Sequence, residues 1–485
     1  MNIQMLYSLY TDAEKEFRDN PDFFIEMYYD PRRNINSLLT SSKFIVLGRK
    51  GTGKTAMKQK LIIDAQSDQS LAIDLSINIS DFDYFLAQKD VDESFLAKAW
   101  QLFILSYAYR CLIEAKVVSK YSLDPSIKEM MFLSKKNLLK KIVDRMTLNV
   151  SFKSKHIDVE SSLTSDKNDD KININEVIDQ IVKLIQNKRK PNKLYITIDS
   201  LDYFLEPSKA ISKKYILSLI IAVSNLNERL SIGPLFLKTI LFIRDEMFSE
   251  LVFQDKNKLK MDCTIELKWN TSRNPEESDI FQMLYMRFYC SGYRDGIKKL
   301  AIELNDYFML TGYDFYDRFL NISLGRPRDI LQYLKFCQII GDSKVQLTGD
   351  DIIKIDHNFS DIYFIGEVKD ELTGHFDDVI IQDLQTILYK LPFDRFSYNT
   401  WREVILRHNV DFNDNLALSL LQKMYEFGFV GLINLSHDLD YIAKRETETP
   451  IFSYEKNYIK FPTKTGLSTC NFCLHRGIKK GLYEK

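Results

Sequence analysis

Short apolar runs alternate with longer amphipathic segments through the first half of the chain. The runs that we predict to be β-strands cover 43–47, 70–75, 193–198, 237–243 and 263–267. Between them lie segments with apolar residues at helical spacing, of which 93–116 is the most apolar. Strands that alternate with helices form parallel sheets covered on both faces. The pattern therefore predicts an α/β fold class with a parallel sheet.

The second half of the chain is mainly helical, and its pattern changes near residue 375. Short helices are predicted at 377–390, 398–407 and 415–427, followed by strands at 428–433 and 458–461. Three helices and a β-hairpin are the parts of a winged helix. The predicted division is a helical lead-in at 1–40, an α/β core at 41–275 with an insertion at about 117–172, a helical segment at 276–372 and a winged-helix domain at 373–485. Within the insertion we expect a small hairpin at 147–160 and a mobile polar loop at 161–171.

Charge and composition exclude some classes of protein. Lys+Arg number 66 and Asp+Glu number 67, so no global field draws the chain to nucleic acid or anionic lipid. No apolar run reaches the length of a membrane span, and the first residues do not begin a signal peptide. Six scattered cysteines fit a reducing compartment, so a cytoplasmic protein is expected. Cys470 and Cys473 form one C-x-x-C with His475 two residues later, but a zinc site would need a fourth ligand, so reduced thiols are favoured there.

A glycine-rich loop lies between the first predicted strand and the helix after it. Its residues spell G-x-x-x-x-G-K-T and are Gly48, Arg49, Lys50, Gly51, Thr52, Gly53, Lys54 and Thr55, followed by Ala56. Strand, loop and helix in this order form a phosphate-binding loop, whose backbone N–H groups face the phosphates. Lys54 should reach the β- and γ-phosphates, and the Thr55 hydroxyl should ligate Mg²⁺. The alternative is a glycine turn followed by an exposed lysine. The side chains of Arg49 and Lys50 are expected to be solvated or to face a partner.

Three further residues complete the candidate site. Asp199 directly follows the apolar strand 193–198. An acidic residue at the end of an apolar strand is the Walker B pattern, and Asp199 should hold Mg²⁺ directly or through water. Arg244 follows the strand 237–243, and Arg328 closes the segment G-R-P-R. Each has a plainer alternative: a turn aspartate for Asp199, a surface ion pair with the next two acids for Arg244, and a solvated helix residue for Arg328.

This order of motifs resembles the AAA+ and STAND group of P-loop ATPases. The resemblance implies a P-loop NTPase core, a helical lid at 276–372, an Arg244 that senses the γ-phosphate and an Arg328 that touches the nucleotide. More narrowly, residues 44–56, 255–259 and 326–330 resemble a bacterial ATPase family whose members often lie in genomic defence neighbourhoods. The resemblance covers roughly residues 20–480.

The chain departs from that pattern after Asp199. AAA+ hydrolases usually place a glutamate next, which orients the attacking water, whereas this chain has Ser200, a poor general base at neutral pH. Asp202 is the nearest substitute and resembles the D-x-x-D variant of some STAND-like ATPases. Either Asp202 orients water, with Lys54 and Arg244 as the other catalytic residues, or turnover is slow and the nucleotide acts as a conformational latch. Slow hydrolysis is favoured.

The sequence therefore predicts a switch that binds ATP and Mg²⁺, hydrolyses slowly, and acts through a protein partner or self-assembly. The resemblance alone suggests antiviral defence. One alternative is an initiator-like DNA-binding ATPase, and another is a nucleotide-binding scaffold without turnover. The predicted helix 415–424 is apolar with a single lysine, so we favour protein contact over sequence-specific DNA reading.

Overall fold

A computed structural model divides the chain into two compact units. The sheet unit comprises 30–49 and 53–267, and the helical unit comprises 1–29, 50–52 and 268–485. The structure describes residues 3–6, 9–75, 92–119, 123, 125–133, 174–187, 193–199, 201, 209–231, 235–308, 315–342, 344–433, 450–453, 460–463, 466–467 and 470–482.

Five parallel strands form the centre of the sheet unit. They are β1 Ile45–Leu47, β2 Leu71–Asp74, β3 Lys193–Ile198, β4 Phe236–Ile243 and β5 Thr264–Glu266. Their order is β2-β3-β4-β1-β5, and each neighbouring pair is parallel. The predicted α/β class and parallel sheet are therefore confirmed.

Twenty α-helices lie in the described parts of the two units. The first ten are α1 Ala13–Asp19, α2 Pro21–Met27, α3 Asn34–Thr40, α4 Lys54–Ser67, α5 Glu93–Glu114, α6 Pro125–Met131, α7 Ile174–Gln186, α8 Lys209–Leu230, α9 Asp245–Glu250 and α10 Lys256–Cys263. The others are α11 Asp279–Cys290, α12 Ile297–Tyr307, α13 Phe315–Ile322, α14 Pro327–Ile340, α15 Gly349–Asn358, α16 Ile365–Leu372, α17 Asp378–Tyr389, α18 Tyr398–His408, α19 Asp414–Glu426 and α20 Arg476–Leu482.

Apolar burial holds the sheet unit together. The residues of β3 and β4 are buried almost throughout, as expected for strands covered on both faces. Helix α8 packs against β4, and α5 packs against α8 and α7. Lys238 of β4 is also buried, and its ammonium donates to the carbonyl oxygens of Leu38 (2.5 Å) and Ser41 (2.6 Å) at the end of α3. That contact ties α3 to the sheet.

The predicted insertion is described only in part. Helix α6 lies within it, whereas the predicted hairpin at 147–160 and polar loop at 161–171 lie outside the described residues.

The helical unit has its own apolar core, with a buried ion pair beside it. Tyr333 of α14 contacts the rings of Phe308, Phe315 and Phe359. Arg287 of α11 donates two hydrogen bonds, of 2.8 and 3.0 Å, to the carboxylate of Glu16 in α1. This bidentate pair fixes the first helices of the chain to the core that begins near residue 279.

A small antiparallel sheet accompanies α17, α18 and α19. Its strands are β6 Arg395–Ser397, β7 Val430–Ile433 and β8 Asn471–Leu474, in the order β6-β8-β7. The strand predicted at 428–433 is therefore present. The one predicted at 458–461 is not its partner: 458 and 459 lie outside the described residues, 460 and 461 form no strand, and β8 pairs with β7 instead. Phe472 and Leu474 are buried in β8, which explains why this short segment forms the strand.

A π-helical turn joins α15 to α16 and receives the C-terminal helix. It covers Phe359–Phe364. The ring of Phe364 stacks on that of His475, with centroids 5.0 Å apart, and the Ser360 hydroxyl donates to the carbonyl oxygen of Gly477. The His475 Nδ1 accepts the N–H of Gly477 at 3.0 Å. Burial lowers the pKa of His475 to about 3, so its ring is neutral near pH 7.

We predict that His475 makes the fold sensitive to mild acid. Because the histidine of the unfolded chain protonates near pH 6.5 and the buried one does not, the free energy of unfolding should fall by about 1 kcal/mol per pH unit below that value. Urea denaturation from pH 7 to pH 5 should give a flatter pH dependence for His475→Phe than for the wild type. Equal slopes in the two proteins would contradict this assignment.

Candidate functional site

The glycine-rich loop begins and ends as its sequence predicts. It follows β1, and the N–H of Gly48 donates to the carbonyl oxygen of Ile243 in β4 at 3.3 Å. Helix α4 begins at Lys54, after Gly53 with a φ of 92°. That left-handed conformation is strained for residues other than glycine. The loop therefore delivers Lys54 and Thr55 to the first turn of α4.

The Lys54 ammonium is held by the loop itself. Its Nζ donates to the carbonyl oxygens of Gly48 (2.7 Å) and Arg49 (3.0 Å). The alternative of an exposed lysine after a glycine turn is therefore wrong for this side chain, which is partly buried and directed back toward the start of the loop.

Thr55 and Asp199, the two predicted magnesium ligands, lie together. The Thr55 hydroxyl donates to Oδ2 of Asp199 at 3.0 Å, although the two residues are 144 positions apart in the chain. Asp199 follows β3 directly and is 6% exposed. Their contact depends on the tertiary fold, which favours a shared role over a turn aspartate.

Arg244 lies at the carboxyl end of β4, between β1 and β3 in the sheet. It is buried, and its Nη1 lies 3.6 Å from Oε1 of Glu246. The alternative of a surface ion pair is correct about the pairing with Glu246 and wrong about its position, because the pair is buried. Burial raises the pKa of Glu246, against the opposing charges of Arg244 and Lys54. A carboxylate thus lies near the two cations predicted to contact phosphate.

Asp202, the predicted water-orienting residue, lies outside the described residues, as does Ser200. Their predicted roles stay predictions.

Sequence reasoning missed Lys58 and Asp74. Lys58 lies one turn beyond Thr55 in α4 and is 3% exposed. Its Nζ lies 2.8 Å from Oδ2 of Asp74 and 3.8 Å from Oδ2 of Asp199. One signal was available in the sequence: Asp74 ends an apolar strand, as Asp199 does.

Loop residues 50–52 contact other residues of the helical unit. The Lys50 ammonium lies 2.8 Å from Asp370 and 3.4 Å from Glu367, and the side chain is 17% exposed. The prediction that Lys50 is solvated or faces a partner is therefore wrong, because two carboxylates of α16 hold it. The Thr52 carbonyl oxygen accepts the indole N–H of Trp269 at 3.0 Å.

Gly51 lies against the G-R-P-R segment. Its carbonyl oxygen accepts the N–H of Arg328 at 3.4 Å, and its φ is 78°. A Cβ added at Gly51 would come within 3.2 Å of the Arg328 Cβ. The motif glycine thus permits both the conformation and the close approach.

Arg326, the first arginine of G-R-P-R, is the centre of a buried ion cluster. It donates three side-chain hydrogen bonds to Asp329 and others to Glu367 (3.2 Å), Glu371 (3.5 Å) and the Lys50 carbonyl oxygen (3.1 Å). Its pKa stays well above the ordinary value, since these carboxylates outweigh the effect of burial.

Arg328, the arginine that the sequence singled out, is 31% exposed and lies 3.6 Å from Glu367. It is neither fully solvated nor buried. Its predicted contact with a nucleotide stays a prediction.

A magnesium ion would need ligands besides protein carboxylates. Among the described residues, no group of three or more His, Cys, Asp or Glu side chains could hold a metal. One hydroxyl and one carboxylate, Thr55 and Asp199, suit an ion that completes its shell with phosphates and water. The donor set therefore fits Mg²⁺ bound together with a nucleotide, and does not fit a metal site made by protein alone.

No protein-family model matches this chain, and no curated protein sequence matches it significantly. Within the described ranges, no helix is both long enough and apolar enough to cross a membrane.

We predict that the two arginines of G-R-P-R differ sharply in their effect on stability. Arg326→Met should lower the free energy of unfolding by about 3–5 kcal/mol, since it leaves buried carboxylates without their cation. Arg328→Met, the matched control, should cost less than about 1 kcal/mol because its ion pair is long and partly solvated. Urea denaturation followed by tryptophan fluorescence, to which Trp269 and Trp401 contribute, measures both. Equal losses would show that Arg326 does not organise the cluster.

Proposed function

We propose that this protein is a nucleotide-dependent switch of the P-loop type, which binds ATP with Mg²⁺ and hydrolyses it slowly. The contact between the Thr55 hydroxyl and Asp199 at 3.0 Å is the observation that carries the proposal. It joins the end of a glycine-rich loop to the acidic end of a separate strand, which is the donor pair that a magnesium–nucleotide complex requires.

Each residue of the loop has a task in this proposal. The N–H groups at the start of α4 and the helix dipole would attract the phosphates, and Lys54 would exchange its loop carbonyls for phosphate oxygens. Thr55 and Asp199 would hold Mg²⁺, which when bound supplies positive charge to the phosphates. Arg244 would contact the γ-phosphate, because β4 ends between the loop strand and the Asp199 strand.

The finer architecture belongs to the same proposal. We take the sheet unit as a P-loop NTPase core, helices α11–α16 as a helical lid, and 373–485 as a winged-helix domain. Three helices and a three-stranded antiparallel sheet support the last assignment. The strand order, which inserts β4 between β1 and β3, supports the first.

Two observations favour a switch over a rapidly cycling ATPase. Ser200 replaces the glutamate that usually orients water. In addition, the Lys50 ammonium and the Lys50 and Gly51 carbonyl oxygens are bound by α14 and α16. Phosphates that reshape the loop would therefore act on the helices that hold its middle residues, and so bias a two-state element.

The output of the switch would pass to a protein partner or to a second copy of the chain. The exposed positions of α19 carry Asp414, Asn415, Ser419 and Gln422, and Lys423 pairs with Glu426 at 2.8 Å. A helix that reads DNA exposes basic and amide side chains in greater number. An initiator-like DNA-binding ATPase is therefore the less favoured alternative. A role in antiviral defence rests on the family resemblance alone.

We predict that Lys54→Ala abolishes nucleotide-dependent assembly. Loss of charged hydrogen bonds worth about 1.5–3 kcal/mol should weaken binding of a fluorescent ATP analogue by about 10–150-fold in the presence of MgCl₂. Light scattering after size exclusion, with and without ATP, should show a change of size in the wild type that the variant lacks.

Lys60→Ala is the matched control for this experiment, because Lys60 lies on the same helix and pairs with Asp64. It should bind and assemble as the wild type does. Wild-type protein that fails to bind nucleotide would refute the proposal. DNA binding that weakens steeply with salt would favour the initiator-like alternative instead.

We predict that Asp202→Asn slows ATP turnover by about 10²-fold or more while nucleotide binding persists, because a water-orienting base is lost and the binding loop is kept. Phosphate release under single-turnover conditions measures the first quantity and equilibrium binding the second. No turnover in the wild type would favour the scaffold alternative, and unchanged turnover in the variant would assign the water to another residue.

A further inference from the structure

A buried lysine lies between two aspartates at the carboxyl edge of the parallel sheet. Helix α4 packs against β2, β3 and β4. Its first turn brings Thr55 to Asp199, and its second brings Lys58 to Asp74 at the end of β2. The two aspartates therefore flank a single ammonium group, which is 2.8 Å from one and 3.8 Å from the other.

The arrangement of these groups is set by the strand register. Asp74 pairs with Thr197 across β2 and β3, and the Thr197 hydroxyl donates to Oδ1 of Asp74 at 3.2 Å. The other oxygen of Asp74, Oδ2, accepts from Lys58. On Asp199, the oxygen nearest to Lys58 is Oδ2, the same atom that accepts the Thr55 hydroxyl. Lys58 thus lies next to the oxygen of the proposed metal ligand.

A positive charge at this position works against a second cation. It repels a divalent ion and competes for the same carboxylate oxygen, and burial strengthens both effects because the local dielectric is low. Asp74 opposes them, since it is the nearer carboxylate and draws the ammonium toward β2.

We propose that the Asp74–Lys58 pair sets the magnesium affinity of the nucleotide site, with both side chains acting as positioning residues for Asp199. This inference rests on the proposed function, because it concerns the same metal ligand. Asp74 attracts the Lys58 ammonium and so keeps it from approaching Asp199 more closely. Lys58 in turn neutralises Asp74, which would otherwise add negative charge beside the metal site.

Three variants test the pair by its charge. The measurement is the MgCl₂ concentration that gives half of the magnesium-dependent increase in binding of a fluorescent ATP analogue to the full chain. In Asp74→Asn this concentration should rise about tenfold, because Lys58 then keeps its ion pair with Asp199 and loses the one with Asp74. In Lys58→Met it should fall below the wild-type value. In the double variant, which restores neutrality, it should return to within about threefold of the wild type.

Binding of the same analogue without magnesium and the thermal midpoint serve as controls for folding. Asp64→Asn removes an aspartate from another lysine pair on α4 and should leave the half-saturating concentration unchanged. If Lys58→Met does not fold, Asp74→Asn and the double variant still test the sign of the effect.

The outcomes separate the two proposals. Wild-type protein without magnesium-dependent nucleotide binding would overturn both. Wild-type binding with the same half-saturating concentration in Asp74→Asn would overturn the role of the pair alone, and would leave Lys58 and Asp74 as a structural ion pair at the sheet edge.

Discussion

Parallel pairing of β1, β4 and β3 is the constraint on which the sheet unit depends. Ile45, the first residue of β1, and Ile198, the last residue of β3, both lie opposite Leu241 of β4, so β1 extends two residues beyond β3 at the carboxyl edge of the sheet. They are two strand spacings apart, about 9–10 Å, which is too far for direct contact between short side chains. The contact between Thr55 and Asp199 exists because α4 returns over the sheet and spans that distance. A loop of the same sequence on another strand order would not meet the same aspartate.

Buried charge is the second organising feature, and it occurs in each unit separately. In the sheet unit Lys58 lies between Asp74 and Asp199, and in the helical unit Arg326 lies among Asp329, Glu367 and Glu371. Removing charges from water is costly, and apolar side chains of similar volume often give equal or greater stability. Ion clusters of this kind are therefore weak explanations of stability alone. We take both as retained for the states that the proposed ligand would select, one at the metal ligands and one at the middle of the loop.

Much of the fold could be predicted from the sequence, because the apolar runs that become β1 to β5 are local signals bounded by turns and helices. The position of the glycine-rich loop between β1 and α4 could be predicted equally well, since its glycines act through local backbone conformation. The ion pairs were not, because they join residues distant in the chain: Lys50 with Asp370, or Arg326 with Glu371. The choice between Arg326 and Arg328 shows the limit well. Both belong to one motif, and only the tertiary ion pairs with carboxylates of α16 show that the first is buried and the second partly exposed. Strand β8 was missed for a similar reason, as its register with β6 and β7 is tertiary.

The residues of the glycine-rich loop divide between the two compact units. Lys54 and Thr55 belong to the sheet unit, whereas Lys50, Gly51 and Thr52 hydrogen-bond within the helical unit. With Gly53 between them, these residues form one continuous segment, 50–55, in which Gly51 and Gly53 both hold left-handed conformations that few other residues adopt. Two residues before Gly53 lies Gly51, whose space is limited by Arg328, and one residue before that lies Lys50, whose carbonyl oxygen accepts a hydrogen bond from Arg326. Arg326 in turn is bonded to Asp329, which accepts the Tyr363 hydroxyl of the π-helical turn at 2.8 Å. That turn also contacts His475 and Gly477, so within the helical unit a series of hydrogen bonds and ring contacts leads from Lys50 to the last helix, and we propose that a switch would use this series.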